Sequence, residues 1–288
     1  MDGNENTLSS AKQKFVDFLK TQSRASATIV AYSKDIAQLT DFLNNKQITQ
    51  NGSVLPEHIE QFKEYLAENK YTAKSISRKL NSIKTFFKFL KGSSLVDTNP
   101  TNTVSYPRYE LKPPRILTKM EYRALRDAAR DDIRMAAIIE LLLQTGMRIS
   151  ELARLTQTDV SAKGLRVGSF EGHPERIIPL NPSARKALDR YLNQRPKTAN
   201  PNIFVTKTGK PLLVRNIRAA IDRYFKIADI NHATVNDLRH TFIAHQLMAG
   251  ASVVMVQQLV GHKRLSTTEK YLEMVKDQVK ENVKLEEL

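Results

Sequence analysis

Residues 135–152 read MAAIIELLLQTGMRISEL, and the fold of the second half of the chain turns on them. The segment 135–144 is too apolar for a helix with a wet face, so it belongs at the centre of a core. TGMRISEL (145–152) follows at once: a glycine break, then Arg148 at the start of a new helix, with Glu151 three residues on. An arginine at a helix start is usually a surface charge. Here it leaves directly from what should be the most buried helix of its domain.

Outward from this stretch the pattern stays mainly helical. Upstream, Thr118 and Glu121 form a capping signal ahead of EYRALRDAAR. Downstream, 164–180 is the one strand region: GLRVGSF, a turn around Gly172, then ERIIPL. The periodicity predicts helices at 181–194, 214–228, 234–249 and 252–260, and a last one from about 267 toward the end. Further upstream lies TNPTNTVSYPRYELKPPR (98–115), whose four prolines oppose any helix and mark an extended linker. Before it, 8–21, 26–44, 56–69 and 72–91 carry apolar residues at helical spacing, among them Phe15, Ile36, Leu39, Ile76, Leu80, Ile83 and Phe87. The expected fold is therefore mainly α. A four-helix bundle occupies residues 1–98, a linker 99–115, and an α+β domain with a small antiparallel sheet 116–288. No repeat or low-complexity tract interrupts this plan.

The charge is uneven. The 288 residues hold 45 Lys plus Arg against 30 Asp plus Glu, a net +15. Residues 1–107 account for +4 and residues 108–288 for +11. A field of that sign attracts polyanions, nucleic acid above all. In the first domain Lys74, Arg78, Lys79, Lys84 and Lys88 share one helix. They form either a solvated face or a surface that meets phosphates. No apolar run of eighteen residues is present, so no membrane span is expected. The polar N-terminus is no secretory signal, and zero cysteines exclude disulfides and thiolate metal sites. A cytoplasmic location is expected, on the nucleoid if the source is prokaryotic.

Four fragments of the second half converge chemically: TGMRISEL, NDLRHTF (236–242), LVGH (259–262) and STTEKY (266–271). Two arginines from separate helices can clamp the non-bridging oxygens of one phosphate. A histidine can add a donor or move a proton. A phenol can attack phosphorus if its proton is taken and the developing charge neutralised. With an ordinary pKa of about 10 it needs both kinds of help near neutral pH. His262 and Tyr271, nine residues apart, can face one cavity across a loop and a helical turn.

In order and wording these fragments resemble the tyrosine recombinases, or phage integrase family, over most of the chain, with the compact Xer-like members nearest in plan. The resemblance implies that Arg148 and Arg239 hold the scissile phosphate, that His262 assists, that Glu151 supports, and that Tyr271 is the nucleophile. It implies that the N-terminal bundle is a core-binding (SAM-like) DNA-binding domain, with Lys74, Arg78, Lys79 and Lys84 toward DNA, and that the second domain is catalytic. With a first helix near residue 8, no separate arm-binding domain is expected ahead of it. The implied activity is site-specific cleavage and rejoining of duplex DNA through a 3′-phosphotyrosyl bond, with integration, excision or resolution as outcome. No cofactor and no metal are implied. The implied partners are double-stranded DNA with inverted-repeat half-sites and a homotetramer on two such sites. The stripe Val275, Val279, Val283, Leu285 and Leu288 is then a tail helix that docks on a neighbouring subunit.

Two positions depart from the family pattern. Where a lysine normally stands in the strand turn as general acid, alignment on ERIIPL places Glu171, with His173 in the same turn, where as imidazolium it can donate that proton instead. Three residues before Arg239, where the family has histidine or lysine, stands Asn236, which can bond a phosphate oxygen but exchanges no proton at neutral pH. His240 and His232 lie nearby, neither an obvious replacement. These departures leave open a second reading, a DNA-binding relative with weak or lost strand transfer.

Overall fold

Several helix starts along the chain are set by side-chain caps. Thr7 accepts from the Ser10 N–H at the start of α1 (Leu8–Thr21), and Thr72 from Ser75 at the start of α4 (Ala73–Gly92). Pro56 opens α3 (Pro56–Glu68), where its missing N–H costs nothing. With α2 (Ser26–Asn44) these helices enclose one core, in which Phe15, Ile36, Leu39, Phe62, Leu80, Phe86 and Phe87 are buried. The computed structural model describes residues 6–22, 24–110, 112–170 and 172–276. It divides into two compact units, Met1–Leu111 and Lys112–Leu288.

A charged knot ties α2 to α4. Asp35, 2% exposed, accepts two hydrogen bonds from Arg78, one from Lys79 and one from Ser82. Burial alone pushes its pKa up, but these donors prevail and hold the carboxyl below its ordinary range. Two of the basic residues expected on a phosphate-facing surface, Lys79 and Lys84, spend their ammonium groups on the protein itself. Lys79 is 9% exposed and spends its ammonium on Asp35 and Gln38. Lys84 donates to the Val104 carbonyl at 2.6 Å. Lys74 and Lys88 are exposed, and Arg78 shows its outer edge to solvent. The proline-rich stretch holds no helix or strand among its described residues, yet Val104 is buried in the first core and Ser105 accepts from Lys63.

The second unit is built around α6 (Ile133–Thr145), whose residues 137–143 are buried without exception. Its one buried acid, Glu140, is paired by Arg126 of α5 (Lys119–Ala128), which opens with the expected Thr118–Glu121 capping box. Against α6 pack α8 (Pro182–Gln194), α9 (Val214–Ile227) and α10 (Val235–Met248). A one-and-a-half-turn helix, α7 (Ile149–Arg154), leads to the sheet. Strands β1 (Val160–Ser161), β2 (Gly164–Val167) and β3 (Arg176–Ile178) pair antiparallel in that order. Leu165 lies opposite Ile178 and Val167 opposite Arg176. The strands are shorter than the sequence pattern predicts: beyond Val167 only a bridge between Phe170 and His173 closes the turn. The described residues finish through α11 (Val253–Val260) and α12 (Leu265–Val275), which pack on each other and on α10. Val279, Val283, Leu285 and Leu288 of the expected tail helix lie outside the described residues, as does Glu171.

Candidate active site

Two helix ends carry the site. Helix α6 ends at Gly146 in the left-handed conformation (φ 58°), which only glycine adopts cheaply. A Cβ there would stand 2.3 Å from the Phe242 ring. The tight exit places Arg148 at the head of α7, where Glu151 reaches back to its backbone N–H at 2.7 Å. Helix α11 ends the same way at Gly261 (φ 68°), leaving the carbonyls of Val260 and Gly261 open. Arg148 Nη2 donates to Gly261 O at 3.0 Å, and Arg239 Nη2 donates to Val260 O at 2.7 Å. Adjacent carbonyls thus gather two guanidinium groups from helices 91 positions apart in the chain.

A third arginine joins them. Arg176 of β3 donates to both carboxylate oxygens of Glu151, at 3.0 and 2.8 Å, and to Leu259 O at 2.8 Å. Burial pushes the Glu151 pKa up. The Arg176 hydrogen bonds and the Arg148 backbone N–H outweigh it and keep the carboxylate ionised. One buried anion therefore serves Arg148 and Arg176. Arg239 has no acid of its own. Burial and then the Arg148 charge lower its pKa to about 9. Such a cluster gains from any anion that enters it.

His262 follows the α11 terminus, its Nδ1 2.9 Å from Thr268 Oγ1. Burial, then the charges of Arg239 and Arg148, push its pKa down to about 4, so the ring is neutral at pH 7. Its ring is nearly parallel to that of Tyr271, with centroids 6.3 Å apart. Tyr271, 6% exposed, hydrogen-bonds His240 Nδ1 at 2.6 Å. Burial raises the pKa of the phenol, against the opposing charge of Arg239.

The structure thus brings Arg148, Glu151, Arg239, His262 and Tyr271 together around the α11 terminus. Residues 115–278 match the phage integrase family and residues 13–93 its N-terminal SAM-like domain.

The chain belongs to the phage integrase family. It is 33% identical over 261 residues to the tyrosine recombinase XerC of Roseiflexus sp. (strain RS-1), covering 86% of this chain and 83% of that relative. The crystal structure of XerA recombinase covers 94% of this chain and 98% of its own at 28% identity, with a TM-score of 0.54. A lambda integrase (residues 75–356) dimer bound to a COC′ core site superposes with a TM-score of 0.76 at 20% identity, covering 91% of this chain and 97% of its own, a likeness of fold.

In this family member Asn236 and His173 sit differently. Asn236 is exposed at the start of α10. His173 is half-buried in the β2–β3 turn, its pKa lowered by burial and then by the charges of Arg148 and Lys263. Lys263 stands over the same turn: a Cβ built on Gly172 would lie 2.9 Å from its Nζ. Sequence reasoning missed Arg176, Lys263, Thr268 and the part taken by His240. Arg176 had a signal. It shares a strand face with buried Ile178, two residues on, and so points inward. Nothing in the spacing marks His240, which meets Tyr271 only once α10 packs on α12.

Proposed function

We propose that this protein is a tyrosine recombinase that cuts and rejoins duplex DNA at specific sites through a 3′-phosphotyrosyl bond to Tyr271. The observation that carries the reading is the gathering of Arg148, Arg239 and His262 at the α11 terminus with the Tyr271 ring alongside. A phosphodiester entering there meets two guanidinium groups that now share backbone carbonyls. It exchanges those neutral acceptors for an anion, which also restores the proton affinity Arg239 has lost. In the tautomer where Thr268 donates to Nδ1, His262 carries its proton on Nε2 and offers it to a phosphate oxygen. Arg176 acts through Glu151, holding the carboxylate that positions Arg148.

The Oη of Tyr271 attacks phosphorus, and the P–O5′ bond breaks with its electron pair on O5′. Two groups at the β2–β3 turn can protonate that oxygen. His173 is held neutral by burial and by its cationic neighbours; Lys263 brings an ammonium against Gly172 of the same turn. We assign the proton to Lys263 and a positioning contact to His173. Attack of a 5′-hydroxyl on the phosphotyrosine reverses the step and needs no outside energy source, because the bond energy stays in the protein–DNA link.

The substrate is double-stranded DNA with inverted-repeat half-sites. The first unit supports this with the exposed Lys74, Lys88 and the outer edge of Arg78 on α4. Among solved relatives, a lambda integrase tetramer is bound to a Holliday junction; a homotetramer on two sites is the assembly we propose here, in the cytoplasm. Among the described residues no helix is long and apolar enough to cross a membrane. The test is a suicide duplex, nicked beside the cleavage point and built on a site recovered by selecting bound fragments. The wild-type protein forms a covalent adduct, and Tyr271→Phe binds the same duplex without forming one. Binding without an adduct by the wild type would instead mark a DNA-binding relative.

A further inference from the structure

The family pattern leaves this chain without a proton acceptor for its nucleophile, since Asn236 stands where an imidazole or amine is expected. The structure offers another. His240 Nδ1 lies 2.6 Å from Tyr271 Oη, with the rings tilted by 33° and their centroids 5.7 Å apart. The partners are 31 residues apart and meet through the packing of α10 on α12, which share one apolar cluster with Phe242, Ile243, Leu247, Val260 and Val275. This rigid support, rather than loop chance, sets the distance.

Among the described residues no other side chain is hydrogen-bonded to the phenol. Both Glu151 oxygens hold Arg176, and Asp237 Oδ2 caps its own helix through Thr234 N and Oγ1. His262 uses Nδ1 on Thr268 and meets Tyr271 by its ring. Asn236 is an amide and exposed. Tyr271 is too buried for bulk water to take its proton.

We infer that His240 is the general base of the cleavage step: its Nδ1 takes the phenolic proton as Tyr271 Oη bonds to phosphorus. The inference rests on Tyr271 being the nucleophile. The proton moves from Oη to Nδ1, the Oη–P bond forms, the P–O5′ bond breaks, and O5′ takes a proton from Lys263. In the reverse step a 5′-hydroxyl returns its proton to the Lys263 amine as its oxygen displaces the phenolate, which recovers its own proton from the imidazolium. The charged and titratable groups around His240 suit both directions. Burial and Arg239 hold the free ring neutral, the form that accepts. Asp237, from the same helix, opposes them and stabilises the imidazolium once formed. The His262 ring lies 6.3 Å from that of Tyr271, centroid to centroid.

A bland alternative is that His240 only satisfies a buried hydroxyl. His240→Gln separates the two, since an amide keeps a hydrogen bond to Tyr271 and accepts no proton. Adduct formation on the nicked suicide duplex is followed for wild type, His240→Gln, His240→Ala and Tyr271→Phe from pH about 6 to about 9, with duplex binding measured alongside. For a general base, His240→Gln slows the adduct by about 10²-fold or more at neutral pH with binding intact. Its rate goes on climbing with pH where wild type has levelled, and imidazole in solution speeds His240→Ala. A His240→Gln protein within about threefold of wild type, or a slow one with the wild-type pH profile, overturns the base assignment while Tyr271 stands. No wild-type adduct, or an undiminished one from Tyr271→Phe, overturns the nucleophile and His240 with it.

Discussion

At the scale of single residues, the site is a contest between cations and one buried acid. Arg148, Arg176 and Arg239 crowd around Glu151, and their charges with burial keep His262 unprotonated to a pKa of about 4. The unfolded chain holds this ring at its ordinary value, about 6.5. As pH falls the unfolded state therefore takes up protons first. The stability His262 contributes is complete above about pH 6.5 and drains between about 6.5 and about 4. His240, His245 and His173 are displaced in the same direction and add to the slope. The melting temperature should fall by several degrees between about pH 7 and about pH 5. A flat profile there would mean the cluster is looser than its hydrogen bonds indicate. The leaving proton gives a second residue-level prediction. Lys263→Ala should slow cleavage of ordinary DNA by about 10²-fold and recover on a duplex with sulfur at the 5′ bridging position, because a thiolate departs without a proton. His173→Ala should lose less and lose it equally on both duplexes. The reverse pattern would move the acid to His173.

At the scale of elements, two helix termini do more for the site than any helix face. The left-handed exits at Gly146 and Gly261 put Arg148 and His262 where they are and free the carbonyls that receive both guanidinium groups. Gly146→Ala combines an unfavourable φ with a Cβ driven into Phe242. It should cost about 2 kcal/mol or more in urea unfolding and weaken cleavage beyond that, because Gly146 O also accepts from Arg239. Unchanged stability would show that α10 can yield at Phe242. Elements also redistribute charge. Helix α4 reads as one basic face, yet its pairing with α2 turns Lys79 toward Asp35, and the segment after it takes up Lys84.

At the scale of the whole molecule, a net +15 shared unequally between two units predicts how binding responds to salt. Each neutralised phosphate contributes about −0.9 to the slope of log K against log salt. A protein that grips duplex DNA with both units should show a slope steeper than about −4. Fluorescence anisotropy across a salt series measures it. A slope near zero would remove the electrostatic basis for duplex binding. Replacing exposed Lys74 and Lys88 by alanine should flatten the slope, whereas Lys79→Ala should lower stability and leave the slope nearly unchanged, since its ammonium already serves Asp35.

Order along the chain was enough for much of this protein. The apolar run 135–144, the proline-rich break and the capping signals locate most helices, because those features act through neighbours three or four residues away. Four short fragments in a set order were enough to bring Arg148, Arg239, His262 and Tyr271 forward, because the chemistry of phosphoryl transfer restricts which residues can serve. Tertiary structure decided the rest. Arg176 pairs with Glu151 across 25 positions and His240 with Tyr271 across 31. Lys263 takes its place beside Gly172 only when α11 ends against the sheet. Lys79 turns inward because α2 supplies a buried carboxylate. In each case the partner comes from another element, so its effect depends on how the helices pack and leaves no period or spacing in the sequence.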